Sequence, residues 1–232
     1  MKVICTTSDQ YLHILPTFCY LFNKFWSEDQ QVEIVGYKKP NFELPSNFNF
    51  FSLGEQVGDK KNFTRDLRKY FAKQDKYFIW LMEDCFLRKQ VNMKTLNLLK
   101  TLALRLENIG RVNLSKETMS QDHFLFTDIN GINVYENGKF SIYRLSTQAS
   151  IWNKHFVLQY MVNDLTPWEF ECQADLANDE FRIIGLDSAN APIVNNEGVR
   201  KHNIFKFDLN NIPQEFINDM LSKGVLKREN IS

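Results

Sequence analysis

The sequence predicts an α/β fold: a mostly parallel central sheet flanked by helices, with a hairpin and further helices in the C-terminal half. Three observations lead there. The run Tyr77-Phe78-Ile79-Trp80-Leu81-Met82 is continuously apolar yet too short for a helix, and reads as a strand buried on both faces. Strand-like runs at residues 2–6 and 32–37 alternate with stretches of helical period, in the order β-α-β-β-α-β, which favours parallel strands with crossover helices. No segment repeats, none is low in complexity and no linker interrupts the chain, so residues 1–232 are expected to form one domain.

Each element follows from its own pattern. Leu15, Phe18, Cys19, Phe22 and Trp26 fall on one face of a helix, with Pro16 in its first turn. A loop with Pro40 and Pro45 leads to a short strand at residues 50–53. Phe63, Leu67, Tyr70 and Phe71 form the buried stripe of a second helix. After Glu83-Asp84 a helix-like segment is expected, then a Leu-rich helix over 93–108 that buries Leu99, Leu102 and Leu106 and ends with Gly110 as its C-cap. Val134-Tyr135 and residues 140–143 flank Asn137-Gly138, which predicts a hairpin. Trp152, Phe156 and Tyr160 predict a helix over 147–162, and Thr166-Pro167-Trp168-Glu169 a capping box opening another. Ile212, Phe216 and Met220 face inward from a final short helix.

Composition excludes several function classes. With 28 basic and 28 acidic residues the chain has no electrostatic footprint for nucleic acid. No stretch approaches the roughly 18 apolar residues that span a bilayer. Thr6-Thr7-Ser8-Asp9-Gln10 breaks any signal-peptide core. Four cysteines without C-x-x-C spacing suit reduced thiols, so a cytoplasmic location is expected.

The chemistry centres on Glu83-Asp84. In open α/β sheets ligands bind beyond the carboxyl ends of the strands, and two carboxylates there can hold a divalent cation and through it a diphosphate. The plainer reading is a pair of solvated strand-end residues, Asp84 capping a following helix. Glu169 is claimed by the capping box, whereas Glu171 is free of such duty; helical spacing puts Glu171, Cys172, Asp175 and Leu176 on the side of Trp168.

The layout resembles the GT-A glycosyltransferases. The likeness rests on Arg65-Asp66 and Glu83-Asp84, the run from Tyr143 to Trp152, Pro167-Trp168-Glu169-Phe170-Glu171, and Asn195 to Lys201. It is similar to the small stand-alone glycosyltransferase domains of large algal viruses and bacterial polysaccharide clusters, and covers most of residues 1–205. The resemblance implies a nucleotide-binding half over about 1–110, an acceptor half over about 111–205 and a tail over 206–232. It implies a nucleotide-sugar donor, a UDP-sugar first, and a glycan acceptor, with Glu171 as the general base of an inverting transfer. Thr6, Thr7, Asp9, Arg65, Glu83, Arg200 and Lys201 would bind the donor, and Asp84 would hold Mn²⁺ or Mg²⁺; Gln148 and Trp152 would border the acceptor, the plainer reading of Trp152 being a core residue. Cys85 stands where the acidic signature has its third carboxylate, which argues against strong metal dependence. His202 could add an imidazole, or is a surface residue. Two alternatives remain: a nucleotidyltransferase, which would normally show a glycine-rich basic loop where this chain has Thr7-Ser8-Asp9-Gln10-Tyr11, and a non-catalytic sugar- or nucleotide-binding domain.

Overall fold

The computed structural model describes residues 1–55, 62–116, 118, 122–141, 144–162, 164–173, 179–200 and 203–231. Its strands are β1 (Val3–Thr6), β2 (Val32–Gly36), β3 (Phe48–Ser52), β4 (Tyr77–Met82), β5 (Cys85–Leu87), β6 (Ile109–Asn113), β7 (His123–Ile129), β8 (Ile132–Asn137), β9 (Ser150–Asn153), β10 (Arg182–Leu186), β11 (Asn195–Glu197), β12 (Val199–Arg200) and β13 (Asn203–Phe207). The helices are α1 (Leu15–Phe25), α2 (Asn62–Phe71), α3 (Met93–Arg105), α4 (Lys154–Tyr160), α5 (Pro167–Glu171) and α6 (Gln214–Ser222). No described helix is long and apolar enough to cross a membrane.

One nine-stranded sheet runs in the order β3-β2-β1-β4-β9-β6-β10-β8-β7. Only β9 and β8 run against the other strands, so the sheet is mostly parallel, as the sequence predicts. Period-two alternation sorts its side chains into two cores. Val3, Cys5, Val32, Ile34, Ile79 and Leu81 face α1, α3 and α6. Ile4, Val35, Phe78, Trp80, Trp152 and Ile183 face α2, α4 and α5. Because β1, β2, β3 and β4 are parallel and neighbouring, their carboxyl ends open on one edge, where the chain passes from strand to loop.

Several expectations are corrected. Residues 150–153 are a central strand, not part of a helix over 147–162. Ser150–Asn153 lies antiparallel between β4 and β6, and Asn153 then caps α4 by accepting from His155 N at 2.9 Å. The strand passes straight into the helix, so the spacing of Trp152, Phe156 and Tyr160 imitates a single helical stripe. The hairpin turns at Asn130-Gly131, which both take positive φ (53° and 79°), joining β7 to β8. Asn137 instead enters a buried polar cluster, accepting from Asn113 Nδ2 at 3.0 Å; Phe140 is exposed, and Ile142 and Tyr143 lie outside the described residues.

Gly110 is a β6 residue rather than a C-cap. A Cβ there would stand 2.8 Å from the Phe156 ring and 2.8 Å from Phe181 Cβ, so close packing requires the glycine, while Asn108 takes the left-handed conformation after α3 (φ 57°). Glu83-Asp84 leads into β5, which pairs with β11, so Asp84 caps no helix. The third strand begins at Phe48. α5 ends at Glu171, with Phe170 buried and Trp168 exposed, which reverses the expected facing; Asp175 and Leu176 lie outside the described residues.

Candidate functional site

A cavity of about 480 Å³ opens at the carboxyl ends of β1, β2 and β4. Its walls include Thr6 to Tyr11, Tyr37, Phe63, Glu83 and, across the opening, Thr166 to Trp168. Four residues predicted to bind a donor, Thr6, Thr7, Asp9 and Glu83, therefore meet in one cavity. Each is held differently. Thr6 Oγ1 accepts from Trp80 Nε1 at 2.8 Å and lies 3.2 Å from Met82 Sδ, so its hydroxyl is committed to the interior. Thr7 N donates to Val35 O at 2.9 Å, fixing the turn out of β1. Asp9 accepts from Lys38 N at 3.1 Å and pairs with Lys38 Nζ at 3.2 Å, tying the β1 loop to the β2 loop.

Glu83 is the most constrained of the four. It is only 3% exposed, and its Oε2 has no hydrogen-bond partner among the described residues. Burial, and next the charge of Asp84, push its carboxyl up to about 8, against hydrogen bonds from backbone N–H groups of Glu83 and Ser8 and from the Thr7 side chain. Asp84 is half-buried and is pushed up to about 6 by burial, by Glu197 and by Glu171. Glu197 is brought there because β11 places it opposite Cys85 and because Gly198 N donates to Asp84 O at 2.6 Å. The Cys85 thiol is buried in the core and raised by burial and by Asp84, so it stays neutral.

The capping box at Glu169 forms as the sequence predicts, whereas Glu171, expected to be free of structural duty, is tied to Thr147 and is not among the residues lining the cavity. Glu169 Oε2 accepts from Thr166 N at 2.8 Å and Glu169 N donates to Thr166 Oγ1 at 3.2 Å, completing the capping box. Glu171, at the other end of α5, accepts on Oε1 from Thr147 N at 2.6 Å and from Thr147 Oγ1 at 2.7 Å.

Other predicted residues stand apart. Arg65 is on the outer side of α2, 3.4 Å from Asp66 and 3.6 Å from Asp164, and does not line the cavity. Trp152 is fully buried between Trp80 and Phe156, so it offers no face to an acceptor. Gln148 is half-buried, with its Oε1 3.5 Å from Asn195 Nδ2. The Arg200 side chain, and Lys201 and His202 altogether, lie outside the described residues. Among the described residues no three His, Cys, Asp or Glu side chains are grouped so as to hold a metal ion. Tyr11, Tyr37, Glu197 and Thr147 lie in or beside the site without a motif in the sequence that marks them. The capping box, which sets Thr166 to Trp168 opposite the β1 loop, was the signal nearest to them.

No protein-family model matches the sequence, and a search of curated proteins gives no match. Among solved structures, the fold is similar to a cytidylyltransferase from Leptospira borgpetersenii serovar Hardjo-bovis (strain JB197). The TM-score is 0.46 at 11% sequence identity, over 100% of this chain and 98% of that chain, a likeness that carries no argument about function.

Proposed function

We propose that the chain is a transferase that takes a nucleotide-linked donor into the cavity at the ends of β1, β2 and β4, and that the group it transfers is a sugar. The observation that carries this reading is Glu83: a buried carboxylate, with one oxygen unpartnered among the described residues, lining an open cavity beside a second carboxylate. A ligand that reached Glu83 would relieve the cost of a buried polar atom without a partner. The aromatic walls at Tyr11, Tyr37 and Phe63 suit a planar base.

Glu83 and Asp84, once deprotonated, would be the residues to hold a Mn²⁺ or Mg²⁺ ion with few protein ligands. Such an ion would supply positive charge to the leaving nucleotide. Glu171 removes the proton of the acceptor hydroxyl as the acceptor oxygen bonds to the sugar carbon and the sugar–phosphate bond breaks, the electron pair leaving with the diphosphate. Glycosyl transfer to a glycan is thus the leading reading.

Nucleotidyl transfer is the second reading, because the burial of Trp152 takes away the aromatic platform expected for an acceptor sugar, one of the supports of glycosyl transfer. The test is a panel of UDP-, GDP- and CDP-linked sugars, and separately CTP and UTP with sugar phosphates, each with and without Mn²⁺. Thermal stabilisation by a nucleotide-sugar with release of nucleoside diphosphate supports glycosyl transfer. Release of pyrophosphate from a triphosphate supports nucleotidyl transfer, and no binding in either arm overturns both.

A further inference from the structure

We infer that Thr147 is the positioning residue of the Glu171 carboxylate, holding Oε1 so that Oε2 alone is left to accept a proton. The inference rests on the reading of Glu171 as general base. Both hydrogen bonds from Thr147, at 2.6 Å from N and 2.7 Å from Oγ1, end on the same oxygen. The terminal torsion of a glutamate is broad and roughly two-fold, so a free carboxylate exchanges its oxygens and swings its basic lone pairs. Two donors on one oxygen remove that freedom and assign the two oxygens different tasks.

Glu171 needs an outside hold. It is the last residue of α5, a helix of five residues, and a single turn does not fix its own final side chain. The acidic company of Asp84 would also push its carboxylate away. Two donors turned toward Oε1 offset both effects.

Thr147 can do this because its own segment is pinned on either side. Upstream, Arg144 donates to the buried Asp179 at 2.8 Å and to Phe181 O at 2.7 Å, and Arg144 O accepts from Arg111 Nη1 at 3.0 Å. Downstream, Leu114 N donates to Ala149 O at 2.9 Å and Arg111 Nε to Ser150 Oγ at 3.0 Å. Thr147 is itself buried, so the clamp is a fixed part of the scaffold rather than a surface contact.

The experiment compares Thr147→Val, Thr147→Ser, Glu171→Gln and the Thr147→Val/Glu171→Gln double variant, measuring nucleoside diphosphate release from UDP-, GDP- and CDP-linked hexoses with Mn²⁺. Thr147→Val is expected to lower kcat by about 10–100-fold with donor KM unchanged, the scale of a small misplacement of a reacting group. Thr147→Ser keeps the hydroxyl and is expected to restore most of the turnover. In the Glu171→Gln background, Thr147→Val is expected to cost nothing more, because the group it positions is gone. Wild-type kcat in Thr147→Val beside an inactive Glu171→Gln overturns the inference and leaves the base in place. So does an equal loss in both backgrounds, which marks a merely structural tether. Full activity in Glu171→Gln overturns the base assignment, and no release by the wild type from any donor overturns the glycosyl-transfer reading and the inference with it. Should Thr147→Val not fold, Thr147→Ala takes its place; if that also fails to fold, Thr147 is structural and the inference falls.

Discussion

Glu83 shows how a single residue can set a pH dependence for the whole chain. Its carboxyl and that of Asp84 are both raised above their ordinary values, to about 8 and about 6, chiefly by burial. The folded state therefore holds these protons more tightly than the unfolded chain does. The stability they contribute is fully present below the ordinary carboxylate range, and is lost as pH rises through about 6 for Asp84 and about 8 for Glu83. Glu83→Gln cannot ionise, so its melting temperature should match the wild type near the acid end and exceed it at alkaline pH. Melting curves across that range check this; parallel curves for the two proteins would remove Glu83 from the account. Asp84→Asn, by contrast, should weaken nucleotide-sugar binding while moving the melting temperature by only a few degrees, read by calorimetry beside thermal melting.

At the scale of elements, α5 and β6 carry separable roles. Glu169→Ala breaks the capping box and should cost on the order of 1 kcal/mol of stability while leaving turnover near wild type, whereas Glu169→Gln should be nearly silent. Gly110→Ala forces a methyl against Phe156 and Phe181 and should cost about 1–3 kcal/mol in chemical denaturation. An unchanged denaturation midpoint would mean that α4 yields to the added methyl.

The elements that could be read in the sequence are those whose pattern is local. β4 and α1 announce themselves by an unbroken apolar run and a 3.6-residue stripe, and α5 by its cap. β9 could not be read, because four buried residues running directly into α4 share the stripe's spacing. β5 and β11 could not either, since strands of three residues leave no periodicity. Within the site, the carboxylates were legible from their place at a strand end. Thr147 was not, for its partner lies 24 residues away and only the fold brings the hydroxyl to it.

Across the whole molecule, polar groups as well as the sheet tie together segments far apart in the chain. Arg144 and Asp179 form a buried ion pair at 2.8 Å, with Tyr160 OH donating to the same carboxylate. Asp179→Asn leaves the guanidinium buried without its counter-charge and should cost about 3–5 kcal/mol. Urea denaturation measures it; a loss below about 1 kcal/mol would show that water reaches Arg144 in the variant.

The antiparallel strand at the centre of the sheet has a further consequence for how the chain is made. β4 and β6 both emerge well before residues 150–153, and neither can be joined to the other until β9 slides between them. During synthesis the N-terminal parallel layers therefore carry a bare hydrogen-bonding rim along Tyr77–Trp80, apolar and ready to template a foreign strand. An exposed edge of this kind is a hazard on the ribosome, in the interval before the middle strand arrives. A nascent chain halted before residue 150 is where a holdase chaperone has most to protect.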